Sequence, residues 1–460
     1  MEKEITDKVL GQLKFFEKRK IWWKHTDVSL YSSDHKLDLW VQDENHEGVL
    51  DVQREAYKRY MENADKYIKE VPQYILDYYK WHYEEIDREV ELEDNQKIGS
   101  ITAEGVVNDL MNFYYLFICR DGSYGWLASC CWDDNYFAIL LSESKPRMMT
   151  YNQLYDLNKI NDDTFGLLVH DGMQRWLGLE QNQFYGETGI LQIEVEGGYD
   201  EEISPIQQKA YETYLKNKEA HFKDLTKMML TVYLGDEKKA DAAMKVNGVT
   251  VVDKSLLPKT LYIDKEGNYG WICYSSWDDK YLGVLLSEKG LHVMRTNELL
   301  SYAIYKRKNE IVMDNVFGML FTDYMGYEKT LIVKLAGRTY TLPLTIRADD
   351  AELTDEMRSA YKQYLKLNST LWEGVKDAML EYYLRGYDWF STFMDFPEEL
   401  SKENVNRENV MSLVKFKKLY ISDIDGRIAW LCECPTAEED GLAFEFTDGN
   451  IEAIAQSDII

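Results

Sequence analysis

Residues 122–134 read GSYGWLASCCWDD. Adjacent thiols and adjacent carboxylates, flanked by tryptophans, are groups that do chemistry. A thiolate ligates zinc or acts as a nucleophile. A carboxylate pair binds a divalent cation or divides the roles of general acid and general base. A second stretch, GNYGWICYSSWDD at 267–279, keeps the Trp and Asp positions but has Ser275 and Ser276 in place of the cysteine pair. A third, GRIAWLCECPTAEED at 426–440, has lost both the second Trp and the Asp pair. The candidate ligand- or partner-binding residues here are Trp132, Asp133, Asp134, Trp277, Asp278 and Asp279.

Register decides between a site and a core. Successive strand residues point to opposite faces. One face then carries Tyr124, Trp126, Ala128, Cys130 and Trp132. Its counterparts are Tyr269, Trp271, Cys273, Ser275 and Trp277, and then Ile428, Trp430, Cys432, Cys434 and Thr436. Cysteine exchanges with Ala and Ser at these slots, which is how a small interior side chain behaves. No basic partner or ligand set accompanies the thiols, so neither a metal nor a cofactor is expected. Asp121-Gly122, Glu266-Gly267 and Asp425-Gly426 sit between apolar runs, where Gly supplies the positive φ of a tight hairpin. Consecutive Asp residues in a strand diverge, so the pairs read first as a polar turn and second as a ligand or partner surface.

Other constellations are sparse. The seven histidines form no metal-spaced pair. No nucleophile elbow, P-loop, zinc-protease helix or Gly-rich dinucleotide fingerprint occurs, and no catalytic residue is assigned. The cluster IWWKH at 21–25 and the stretch WHYEE at 81–85 are peculiar to the first third of the chain. They add Trp22, Trp23 and Trp81 as candidates for an aromatic binding surface.

The elements that position these residues recur. QREAYKRYMEN, QQKAYETYLKN and MRSAYKQYLKLN place Tyr57, Tyr211 and Tyr361 at one period. VLGQL, TFGLLV and VFGMLF place Gly11, Gly166 and Gly318 at the same period. Three markers in one order predict three tandem modules, near 1–157, 158–306 and 307–460. Each is expected to be α+β: opening strands, two central helices, then the Trp hairpin, with an antiparallel sheet throughout. KTLIVKLAGRTYTLPLTI alternates about Ala336-Gly337-Arg338 as a hairpin should. Ser204-Pro205 supplies an N-cap and first-turn Pro for the second helix region.

Composition bounds the class. The chain has 460 residues, 45% of them hydrophobic, and a formal charge of −28. That is a globular composition with a surface that repels phosphate backbones, so nucleic acid is not an expected partner. A basic protein is. No apolar run suits a signal peptide or a membrane span, and six cysteines are too few for a disulfide scaffold, which predicts a cytoplasmic protein.

The F-G-x-L opening, the Q-x-x-A-Y-x-x-Y helix and the G-x-x-G-W-L-x-x-x-W-D hairpin together resemble an uncharacterised bacterial family, the domain of unknown function DUF6985. The resemblance runs over the whole chain, most clearly over Phe165–Leu215 with Tyr269–Leu286 and over Phe317–Leu365 with Trp430–Phe446. The first copy is the most divergent, with Leu10 in place of Phe. The resemblance implies a bacterial intracellular protein and supplies no activity. The sequence favours a non-enzymatic interaction protein, for instance an immunity-type antitoxin that blocks a basic partner. The alternatives are a hydrolase with a carboxylate site in one module and a carbohydrate or peptide binder using exposed aromatics.

Overall fold

The computed structural model describes all residues except 1–2, 32–35, 84–85, 88–89, 144, 156, 185–186, 200, 235–236, 247–255, 279, 288–289, 336–337, 349–351, 368–370, 438–440 and 448. The hairpin turn at Ala336-Gly337, Asp279, the second half of WHYEE and most of the acidic run after Ala437 lie outside the described residues.

Three eight-stranded sheets follow one another along the chain. The first runs in sequence order through β1 (Glu4–Asp7), β2 (Gly11–Phe16), β3 (Ile21–Ser29), β4 (Lys36–Gln42), β5 (Met111–Ile118), β6 (Tyr124–Cys130), β7 (Asp133–Leu140) and β8 (Arg147–Thr150). The second contains β9 (Lys159–Asp162), β10 (Gly166–His170), β11 (Arg175–Phe184), β12 (Glu187–Glu196), β13 (Leu256–Ile263), β14 (Tyr269–Ser275), β15 (Lys280–Ser287) and β16 (Gly290–Arg295). The third contains β17 (Ile311–Asp314), β18 (Gly318–Asp323), β19 (Gly326–Leu335), β20 (Arg338–Arg347), β21 (Lys415–Ile421), β22 (Ile428–Glu433), β23 (Leu442–Thr447) and β24 (Asn450–Ala455).

The result is an α+β fold of three repeat-like units. The sheets are mixed, and this corrects the antiparallel expectation. Each opens with a four-strand meander and closes with another. In the first sheet β4 and β5 pair in parallel, and in the third β20 and β21 do. The chain leaves the first meander for a helical crossover and returns beside the strand it left, travelling the same way. That connection is long enough to reverse direction, as a parallel pair requires.

The crossover helices differ from the expected pair. Helix α1 (Asp51–Trp81) is continuous for 31 residues, with Pro72 inside it. After α2 (Ala103–Asp109) and α3 (Tyr151–Tyr155), helix α4 (Pro205–Leu234) is likewise continuous through both apolar stripes of its region. Helix α5 (Glu237–Val246) follows it, and α6 (Thr296–Leu300) and α7 (Tyr302–Arg307) follow β16. Among the described residues, the crossover of the third unit holds the α-helices α8 (Asp355–Leu367) and α9 (Leu371–Phe390). Pro205 is the first helical residue of α4, where a missing N–H leaves no bond unmade.

The chain divides into two compact bodies, Met1–Ser204 and Pro205–Ile460. The first holds the whole first sheet and the β9–β12 meander. The second holds α4, the β13–β16 meander and the whole third sheet. In the first body one core joins the inner sheet face to α1: Leu13, Leu39, Val41, Phe113, Trp126 and Ile139 gather with Ala56, Tyr60, Val71 and Tyr79. In the second body Leu344, Leu419, Trp430 and Phe444 gather with Tyr364, Met379 and Tyr383. Trp126, Trp271 and Trp430 are each fully buried. Burying a ring of that size stabilises the fold by about 2–3 kcal/mol.

Candidate functional site

The hairpin that carries the Trp is locked to the start of the crossover helix. Gly122, Gly267 and Gly426 have φ of 84°, 77° and 63°. A Cβ on Gly122 would meet Val52 Cγ2 at 2.5 Å, one on Gly267 would meet the Ile206 carbonyl oxygen at 3.0 Å, and one on Gly426 would meet the Glu356 carbonyl carbon at 2.7 Å. Val52, Ile206 and Glu356 are each the second residue of their helix. The Trp and the second aromatic of the Ala-Tyr marker also meet. Tyr60–Trp126, Tyr214–Trp271 and Tyr364–Trp430 have ring centroids 6.5, 6.3 and 6.2 Å apart with steep interplanar angles. Edge-on packing of this kind places a ring's positive rim against a negative face. Trp126 Nε1 also donates to Tyr60 Oη at 3.1 Å.

The thiols follow register. Cys130, Cys273, Cys432 and Cys434 are buried on the Trp face, and Cys119 is buried on the opposite one, where its Sγ donates to the Leu154 carbonyl at 3.2 Å. Burial pushes the Cys119, Cys273 and Cys432 thiols far above the ordinary range, which removes thiolate character. Cys131 is exposed. Among the described residues no three or more His, Cys, Asp or Glu gather as a metal site would require.

The Trp-Asp step is a clamp. Trp277 Nε1 donates to Thr341 Oγ1 at 3.0 Å, and Asp278 Oδ2 accepts the Thr341 backbone N–H at 2.9 Å. Thr341 lies on β20, so the end of β14 is tied to the sheet that follows it in the chain. At the first copy, Ile190 occupies the register position of Thr341. Half-buried Trp132 packs against Tyr79 and Phe137 at 5.6 and 6.2 Å, in the same apolar cluster as Ile190. The Asp133 and Asp134 backbones begin β7; their side chains, like Asp279, lie outside the described residues.

The aromatic candidates do not gather into one surface. Trp22 is buried, and its Nε1 donates to Asp43 Oδ2 at 2.7 Å. Trp81 is buried in α1. Trp23 is half-buried on the opposite side of the sheet from Trp22, edge-on to His25 at 4.9 Å.

Two repeated polar devices escaped the sequence reading. Asp7 Oδ1 accepts the backbone N–H groups of Val9 and Leu10, and its Oδ2 accepts Arg54 Nε at 2.7 Å. Asp314 repeats this with Val316, Phe317 and Arg358. Asp162 keeps the two turn bonds, to Thr164 and Phe165. An Asp four residues before Gly11, Gly166 and Gly318 was the legible signal. Burial pushes the Asp7 and Asp314 carboxyls up, but the amide and guanidinium donors outweigh it and hold both below the usual carboxylate range. The second device is a part-buried amine. Lys24 Nζ donates to the Leu10 carbonyl at 2.5 Å and Lys329 Nζ to the Phe317 carbonyl at 2.6 Å. Burial lowers both ammonium groups, Lys329 to about 8.

Clefts open at matching places. One of about 250 Å³ in the first body is lined by Phe137, Thr150, Gln153, Leu177, Gly178 and Leu179. One of about 380 Å³ in the second body is lined at the same register positions by Leu282, Arg295, Glu298, Glu328, Lys329 and Thr330. Recurrence at equivalent places marks these clefts as products of sheet stacking. In the second, Glu298 is taken up by Arg295, whose Nε donates to Oε1 and whose backbone N–H donates to Oε2, both at 2.7 Å. In the first body Arg147 donates to the Leu167 and Leu177 carbonyls, and burial lowers its guanidinium to about 10.

The model of the family described as "Domain of unknown function (DUF6985)" matches residues 9–135 and 316–460. The match therefore falls on the first and third repeat-like units rather than on the second and third, where the sequence resemblance looked strongest. No curated protein and no solved structure matches the chain. The matched residues contain two of the three Trp hairpins and two of the three Ala-Tyr helices; Arg54 and Arg358 fall within them, and the Asp7 and Asp314 that they engage lie just before each matched stretch. The chain belongs to the DUF6985 family.

Proposed function

We propose that the chain is built from three copies of one module, near 1–157, 158–306 and 307–460, and that it is a non-enzymatic cytoplasmic protein-interaction module whose acidic surface receives a basic partner. Three sheets of one strand order, each with a Trp edge-on to a helix Tyr and a hairpin Gly against the helix start, support the first part. One observation supports the second: the Trp-face thiols and the polar atoms of Trp277 and Asp278 are engaged by the fold. The sulfurs on the Trp face are interior, and the Trp277 and Asp278 polar atoms hold Thr341. What the chain offers a partner is then its charged exterior, with a net charge of −28. Such a field accelerates encounter with a basic surface and rejects anionic ones.

Affinity purification on the immobilised full chain from its native cells, at rising salt, tests this reading. A basic protein retained at low ionic strength and released as salt rises supports it, because screening weakens such association. Recovery of the same proteins on a chain whose surface carboxylates have been amidated overturns it.

A further inference from the structure

We infer that two sheet faces of this chain are capping faces: Glu4, Gln12 and Lys14 on the first sheet, and Arg427 and Glu445 on the third, block head-to-tail addition of a second copy. The inference rests on the repeat reading and is independent of the partner reading.

Successive sheets are joined by one recurrent apolar contact. In the first body Leu140 of β7, Met149 of β8 and Leu154 of α3 share a cluster with Val169 of β10, with Leu167 packed against it. In the second body Leu285 of β15, Met294 of β16 and Leu299 of α6 share a cluster with Met319 and Phe321 of β18, with Ile311 packed against it. Pairing registers make these positions equivalent. Leu140 lies opposite Gly125, and Leu285 lies opposite Gly270. Val169 lies opposite Lys159, and Phe321 opposite Ile311. The contact joins unlike faces, the rear of one sheet to the front of the next. An interface of this kind propagates unless something stops it.

The front of the first sheet and the rear of the third depart from this pattern. Lys14 occupies the place of Val169 and Phe321, and Gln12 that of Leu167 and Met319. Both are exposed. Glu4 holds them together: Gln12 Nε2 donates to Glu4 Oε2 at 3.2 Å, and Lys14 Nζ lies 3.5 Å from Glu4 Oε1. On the third sheet Glu445, opposite Ala429, takes the place of Leu140 and Leu285. Arg427 engages it through two parallel bonds, from Nε to Oε1 at 2.5 Å and from Nη2 to Oε2 at 2.8 Å. Ile454 and Ile459 keep the places of Met149 and Leu154, but the described residues of their cluster all belong to the third repeat-like unit. Docking another sheet there would strip water from a paired carboxylate and guanidinium with no new partner for either, which opposes association. Repeat arrays need end units with polar outer faces for this reason.

Two variants of the full chain test the inference. The front variant carries Glu4→Ile, Gln12→Leu and Lys14→Val; the rear variant carries Arg427→Asn and Glu445→Leu. Each introduces the residues found at an internal junction. Light scattering after size-exclusion chromatography gives the mass, and circular dichroism establishes that each variant is folded. The wild-type chain and each variant alone should run at one chain's mass, 54.1 kDa. An equimolar mixture of the two variants should shift to twice that mass, and a chain carrying all five changes should form longer, concentration-dependent assemblies. A mixture of folded variants that stays at one chain's mass overturns the inference. So does self-association of either variant alone, since the attraction would then not be front to rear. Cross-links between the 4–14 strands and Glu445 in wild-type oligomers would also overturn it.

Discussion

Trp277 and Asp278 are held by one residue, Thr341. The indole N–H takes its hydroxyl, and the carboxylate takes its amide, at 3.0 and 2.9 Å. Adjacent side chains that diverge along a regular strand converge here because Ser276–Asp278 turns out of β14. The pair most suggestive of chemistry thus fastens one sheet to the next.

Asp278→Ala should therefore destabilise the second body by about 1–3 kcal/mol, since it leaves the Thr341 amide without its acceptor. Thr341→Val combined with Trp277→Phe should show coupling in a double-mutant cycle. Urea unfolding monitored by tryptophan fluorescence reads both. Additive effects would remove the clamp from the account.

Gly426→Ala should cost more than Gly449→Ala. Both glycines have positive φ, 63° and 85°. A Cβ on Gly449 meets nothing within 4 Å, whereas one on Gly426 runs into the Glu356 backbone. The left-handed conformation alone accounts for about 1–2 kcal/mol, and the clash at Gly426 adds to it. Thermal unfolding of the two variants ranks them.

Lys329 predicts a pH dependence of one sign. Its ammonium is lowered to about 8 in the fold, by burial, against about 10.4 in an unfolded chain. Between these values the unfolded state binds more protons, so this residue makes stability rise with pH across that window. Below the window its destabilising burial is constant. Subtracting the stability–pH curve of Lys329→Met from that of the wild type should leave that rising slope between pH 8 and about 10.4. A flat difference refutes the assignment.

Asp314 predicts the opposite edge of the pH range. Its folded carboxyl lies below the ordinary value, so the stability it contributes is present above about pH 4 and is lost as pH falls toward the folded value. Asp314→Asn should lower stability at neutral pH by about 1–3 kcal/mol and flatten the acid limb. Guanidinium titrations at several pH values test this.

Thiol labelling should distinguish one cysteine from the others. Cys131 is exposed, and the remaining five are buried. A disulfide reagent should react quickly with one thiol in the folded chain and with all six after unfolding. A Cys131→Ser variant that still labels quickly would contradict this burial pattern.

The sequence by itself determined what is local and repeated. Alternation put Trp126, Trp271 and Trp430 with their cysteines on one face, because strand side chains alternate whatever the sheet around them. Asp121-Gly122 and its counterparts marked turns, because positive φ is a property of the residue. The spacing of Gly11, Gly166 and Gly318 marked three equivalent openings. Tertiary structure alone decided the rest. The parallel β4–β5 pair depends on where a long crossover returns, which neither strand encodes. A single α1 in place of two helices depends on the sheet beneath both stripes. Thr341 is 63 residues from Asp278, and Phe317 is 12 from Lys329; neither acceptor can be named before the sheets stack. Lys14 and Glu445 are ordinary surface charges in the sequence. Their capping role is visible only when register gives Lys14 the place that Val169 and Phe321 hold and Glu445 the place that Leu140 and Leu285 hold, because the cost of burying a charge depends on what would cover it.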